Sequence, residues 1–258
     1  MKSFLASLKV FLIGAVPILL FLIFWEAGAR AIPRGVIAPA SEALKALGQS
    51  AWSGELWVQT LISLERVVKG FCLSFIIGIP LGFLLGSFFT KVERALLPFL
   101  RTCEKLNPFA IIPIFMIFFG IGTTEKVVVV FWATLWPILF NTMVGARNIE
   151  PNMLRAAQSM GASRWEMLTK VIVPNATPNI FIGIEFAAQV AFFMIIASEV
   201  IGASTGLGWY YSHAYAQYQL PLVYGTVLYI TILAIVVNVF FKGLKKRLLV
   251  WKEESNIG

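Results

Sequence analysis

Six stretches of this chain run apolar without the alternation of a half-buried strand. They are Val10–Trp25, Gly70–Phe89, Pro108–Ile121, Val127–Val144, Ile180–Ile201 and Leu222–Phe241. A helix needs roughly 20 apolar residues to cross a bilayer core, whereas barrel strands alternate in polarity. Continuous runs of this length predict an all-α membrane protein with about six transmembrane helices. With their flanks, the helices are expected over 10–27, 66–90, 106–122, 127–146, 178–202 and 221–243, within one transmembrane domain spanning 1–258. The third run is short and holds Pro108 and Pro113. It must borrow from the preceding TCEKLN or be a broken helix packed inside protein.

The first run has a rival reading. Lys2, Lys9, an apolar core and Ala27-Gly28-Ala29 also suit a cleavable signal peptide. That core is long for a signal, and its removal would leave an odd number of spans, so a retained helix is expected.

Composition agrees with lipid. Only 13% of residues are charged and mean hydropathy is +0.82, where soluble domains carry about a quarter charged residues. The net charge of +8 lies in short segments between apolar runs, which speaks against nucleic acid. One side would hold Lys2, Lys9, Lys91, Arg94, Arg101, Lys105, Arg147, Arg155, Arg164, Lys170, Lys242, Lys245, Lys246, Arg247 and Lys252. The other would hold Arg30, Arg34, Lys45, Arg66, Lys69 and Lys126. This excess places both termini in the cytoplasm. Cys72, Cys103 and the single His213 cannot make a metal site of ordinary ligand count, and both cysteines are expected to pack.

Between the fourth and fifth runs lies a polar segment, 147–177. Pro151 suits a first helical turn, Gly161 a helix end, and Ser163 with Glu166 a capping box. A helix, a glycine bend and a second helix follow, the latter expected to stop at Pro174, with Thr177-Pro178 opening the next span. The residues alone allow either an amphipathic connector on lipid headgroups or a docking element for a cytoplasmic partner.

RAAQSMGASR and its continuation to Val171, Val173 and Pro174 resemble the EAA motif of ABC-importer permeases. That motif reads Glu-Ala-Ala, three residues, Gly, nine residues, Ile, one residue, Leu-Pro. Every spacing is kept, with Arg155 in place of the Glu. Asn107-Pro108 to Pro113, Phe119 to Gly122, Glu199 to Ala203 and Gly206-Leu207-Gly208 resemble the nitrate/taurine/sulfonate branch, with the taurine-type permeases most similar.

The resemblance implies a type I ABC-importer permease fold in the bacterial cytoplasmic (inner) membrane. It further implies a coupling helix formed by Arg155, Ala156, Ala157, Met160, Gly161, Ala162, Ser163 and Arg164. The implied partners are two ATP-binding subunits, a second permease copy and an extracytoplasmic solute-binding protein. Since the chain has no Gly-x-x-x-x-Gly-Lys-Ser/Thr loop, ATP and Mg are expected on the separate subunit and no cofactor here.

Intramembrane polar residues are costly against lipid and mark candidate pathways. Asn141, Gln189, Ser198 and Glu199 are the candidates, with Glu185 four residues before Gln189. Glu199 could equally cap or pair locally, and the span interiors are expected to offer no cation. Pro80, Pro108, Pro113 and Pro137 are candidate bending points. Ala40–Gly54 is expected as an external amphipathic helix, Trp209 to Tyr218 as an interfacial aromatic loop, and KGLKKRLLVWKEE as a cytoplasmic tail.

Three other functions fit less well. Gly202 to Gly206 matches Gly-x-Ser-x-Gly with His213 nine residues beyond Ser204, but no aspartate exists to orient it. A secondary carrier or channel is the second, but neither the carboxylate or histidine relay of proton-coupled carriers nor an inverted repeat is seen. A non-transporting anchor would need no proline-broken helices.

Overall fold

The computed structural model describes residues 2–32 and 36–248. Arg34, Lys252 and the end of the basic tail lie outside the described residues. Eleven α-helices and two π-helical turns make up the described fold, with no strand among those residues. The helical membrane architecture expected from the apolar runs is the one observed.

Helix α1 (Lys2–Ala31) carries the first run and is followed by the short α2 (Ala40–Trp52). Trp25 ties the two, its Nε1–H donating to Ala38 O at 3.1 Å. Helix α3 (Glu55–Phe83) continues through a π turn at Leu84–Phe88, where Phe89 N–H reaches Leu84 O. The resulting 34-residue span starts well before the apolar run does. It therefore carries Arg66 and Lys69, expected at the very start of the 66–90 helix and counted with the charges of its outer flank, well inside a helix.

The third run breaks. Helices α4 (Thr90–Lys105) and α5 (Pro108–Phe119) meet at 91°. Asn107 accepts from Phe109 N–H, and Pro108 occupies the first turn, where no donor is needed. Pro108 thus starts a helix and does not interrupt one.

Helix α6 (Thr123–Arg147) is the central element, packed on α3 along one side and on α9 (Val173–Gly202) along another. Between them lie α7 (Pro151–Ser159) and α8 (Arg164–Glu166), the latter joined to α9 by a π turn at Met167–Ile172. Pro174 does not end this helix, contrary to expectation. The π turn is wider than an α turn and bonds five residues back, so it leaves room for a proline ring and asks no N–H of it. Arg164–Gly202 is consequently one 39-residue helix.

The chain then turns sharply into α10 (Leu207–Ala216) and returns as α11 (Leu220–Leu248). Leu56, Leu207 and Tyr210 form a buried cluster with Leu47 and Ala51, and Tyr210 Oη–H donates to Ser50 Oγ at 2.8 Å. The short helices α2 and α10 therefore sit together at one end of the bundle, and α7 lies at the other end of Arg164–Gly202. Four described helices are long and apolar enough to cross a membrane, or five if α4–α5 counts as one broken span.

Candidate coupling hairpin and buried charge clusters

The hairpin is built by local rules. Helix α7 closes with Gly161 at φ +79°, where an L side chain is strained and glycine is not. Gly161 N–H donates to Gln158 O and Ala162 N–H to Ala157 O, the paired bonds of a Schellman turn. Two residues later Ser163 Oγ accepts from Glu166 N–H at 3.2 Å while Ser163 N–H donates to Glu166 Oε2 at 3.0 Å. This capping box starts α8. Glu166 also holds Lys170 at 2.9 Å.

One face of this hairpin is anchored and one is free. Leu154 and Leu168 pack with Phe83 against Ala146, Ile149 and Ile172 at the base of α3 and α6, and Ala157 is buried. Arg155, Ala156, Met160, Gly161, Ser163 and Arg164 are exposed, and Ala162 is half-buried. Met160 is 80% exposed and Trp165 71%. These are large apolar residues held out on an otherwise polar, basic hairpin. Trp165 is absent from the sequence candidates, since a single tryptophan beside charges carries no motif.

The four pathway candidates do not converge. Asn141 spends its amide on Pro137 O at 2.8 Å, within its own helix. Gln189 is exposed and lines a groove of about 420 Å³ between α9 and α11, with Tyr211 and Thr231. Glu185 pairs with Lys245 of α11 at 3.2 Å. Ser198 and Glu199, adjacent in the chain, are wholly buried and bond to different partners.

Around these two the structure places charges that the apolar-run reading counted with the outer flanks of the spans. Arg66 is 5% exposed and Lys126 is wholly buried, which corrects the expectation that the spans hold no cation. Arg66 Nη1–H donates to Glu199 Oε1 at 2.7 Å, and Ser63 Oγ–H donates to the same carboxylate. Lys126 donates to Glu125 Oε2 and to Gly202 O, each at 2.7 Å, and Ser198 Oγ–H donates to Glu125 Oε1 at 3.0 Å. Arg66, Glu199, Lys126 and Glu125 thus each have an opposite charge and a further hydrogen bond, the condition under which burial is tolerated, although Arg66 Nε has no partner.

The other candidates resolve simply. His213 stacks on Trp209 at 4.8 Å and its ring nitrogen lies 2.9 Å from Gln217, while Ser204 is exposed in a turn between two helices. That is not the strand-to-helix setting a nucleophilic serine requires. Cys103 packs in the core cluster of Trp136 and Phe140, whereas Cys72 is exposed.

Comparison with known proteins agrees with this architecture. Residues 78–249 match the family described as "Binding-protein-dependent transport system inner membrane component". The taurine transport system permease protein TauC of Escherichia coli is 29% identical over 94% of this chain and 90% of its own length. The riboflavin transport system permease protein RibX of Chloroflexus aurantiacus is 33% identical over 93% of this chain and 90% of its own. Among solved structures, a chain of the MetNI methionine ABC transporter in an inward facing conformation superposes with a TM-score of 0.63. It is 18% identical and covers 74% of this chain and 95% of that one, a likeness of fold.

Proposed function

The chain belongs to the family of binding-protein-dependent transport inner membrane components, and from that premise we propose how it works and with what. It is the inner-membrane permease subunit of an ABC importer. An ATP-binding subunit and a solute-binding protein are the partners that such membership implies. Two copies of this chain enclose the path, and two ATP-binding subunits, which alone hold ATP and Mg, grip the exposed hairpin of each copy. The transported solute is small and of the taurine, sulfonate, nitrate or related type.

One observation supports the coupling role most strongly. The Schellman turn and capping box give the hairpin a defined shape, and it runs without a break into the 39-residue helix Arg164–Gly202. A push on Arg155 to Arg164 therefore reaches the opposite end of the bundle as a displacement of one rod. The exposed set Arg155, Ala156, Met160, Gly161, Ser163 and Arg164 forms the contact. Small Ala156 and Gly161 allow close approach, and Arg155 and Arg164 suit an acidic groove.

Gly161→Val tests this reading. A Cβ at Gly161 meets nothing within 4 Å, so the cost falls on backbone conformation alone, about 1–2 kcal/mol. Co-purification of the ATP-binding subunit and ATP-dependent uptake should both fall by about tenfold, with the bundle still folded. Full uptake by this variant, or a topology probe that labels position 161 from outside the cell, would refute it.

A further inference from the structure

If the hairpin is pushed, the far end of its rod must be attached to something that moves usefully. Arg164–Gly202 is about 58 Å long at 1.5 Å per residue, and its last turn is fastened to two neighbouring helices. Glu199 holds Ser63 and Arg66 of α3. Ser198 reaches Glu125 of α6, and Lys126 of α6 donates to Gly202 O. The turn beyond is held by the same side chains. Arg66 donates to Thr205 O and Thr205 Oγ1, both at 2.8 Å, and Gly206 N–H donates to Gln59 Oε1 at 2.7 Å. Leu207 N–H donates to Ser63 Oγ and Gly208 N–H to Glu199 Oε2.

Neutralising Glu199 would take one cation. Here one carboxylate, one guanidinium, a serine and a glutamine bind the backbone of four successive residues, Thr205 to Gly208. The fit leaves no slack, since Gly206 has φ +108° and a Cβ there would collide with the Glu199 carboxylate. Buried ion pairs add little net stability over apolar residues of the same volume, but they enforce one geometry where a register must be kept.

We propose that Arg66 and Lys126 are positioning residues for transport. Through Glu199, Glu125 and the carbonyls of Gly202 and Thr205 they lock the far end of the rod, and the turn into α10, to α3 and α6. A displacement of the hairpin then carries the three helices and the turn as one unit. Neither cation touches solute. This inference rests on the hairpin being the driven element.

The test counts solute molecules imported per ATP hydrolysed by the complete complex, reconstituted with its ATP-binding subunit and binding protein. Arg66→Met with Glu199→Leu replaces the pair by apolar side chains. The ratio should fall about tenfold, while Thr205→Val, which removes one acceptor and no charge, should lower it about twofold. Arg66→Lys keeps the charge but loses the forked contact, and should fall between them. A purely structural part would lower assembly, hydrolysis and import together and leave the ratio unchanged, which overturns the proposal. A wild-type ratio in the double variant overturns it too. Should that variant fail to assemble, the Thr205→Val ratio decides, and no change refutes. The Gly161→Val assay is scored separately on subunit binding, so a failure of the coupling reading is distinguishable from a failure here.

Discussion

Helices α3, α6 and α9 meet backbone to backbone, whereas the α4–α5 elbow meets α6 through side chains laid on an aromatic ladder. In the first region glycines line the contact. A Cβ at Gly70 would stand 2.7 Å from Val127 O, one at Gly82 2.6 Å from Thr142 Cβ, and one at Gly86 2.7 Å from Met143 O. Gly145 and Gly183 do the same between α6 and α9. In the second region Phe115, Trp132, Trp136 and Phe140 form a ladder with centroids 5.0 to 6.3 Å apart, and Arg101 of α4 ends it. Close backbones gain dispersion along their whole length and cannot slip by part of a turn without collision. Rings at tilted angles tolerate small rotations, since edge and offset arrangements are similar in energy. The difference separates a block locked by backbone contact from one joined through side chains, and the 91° break lies in the latter.

The largest expected effect strikes the block. Glu199→Ala would leave Arg66 buried without its partner, at a cost of about 3–5 kcal/mol, read as a lowered unfolding midpoint in detergent. Replacing Arg66 and Glu199 together by Met and Leu should restore part of that loss, because no unpaired charge remains although Thr205 O and Gly208 N–H lose their partners. Next comes the glycine contact. Gly82→Val must force α3 away from Thr142, costing about 1–3 kcal/mol. Gly243 lies well inside α11, and a Cβ there would meet nothing within 4 Å, so it supplies the opposite sign. Gly243→Ala should stabilise by about 0.5–1 kcal/mol through helix propensity. Equal effects at Gly82 and Gly243 would dissolve the contrast between lined and unlined glycines.

What could be foreseen divides by sequence distance. Gly161, Ser163 and Glu166 were legible because a Schellman turn and a capping box are closed within a few residues. The break before Pro108 was half legible, since Asn-Pro and a short run announce it but not its angle. Arg66 was not legible, because the carboxylate that allows it inside a helix lies 133 residues away. Lys126 was misplaced for a related reason, its helix starting three residues before it at Thr123. Pro174 misled through a strong local rule, the proline stop, which the π turn over Met167–Ile172 overrode. The glycines of α3 carry no motif in one chain, as their meaning lies in the α6 backbone opposite.

The smallest expected effect falls on the elbow and sharpens the comparison most. Arg101 Cζ stands 3.9 Å above the Phe140 ring, and the same side chain reaches Glu104 at 2.9 Å. Its side chain is about half exposed and Glu104 lies on the same helix, so that pair is screened by water and only the ring contact of Arg101 reaches α6, beside the packing of Leu97, Leu100 and Cys103. Arg101→Gln should cost only about 0.5–1 kcal/mol. In a double-mutant cycle with Phe140→Leu, the interaction energy should be about 0.5 kcal/mol or more. Arg101→Gln with Glu104→Gln should show almost none, since the pair is short-range and solvated. A cycle in which Phe140 contributes nothing would mean that rings do not tie the elbow to α6. Leu97, Leu100 and Cys103 of α4 and Ile112 of α5 would then hold the elbow to α6 by aliphatic packing, and the contrast with the glycine-lined block would rest on side-chain against backbone contact alone.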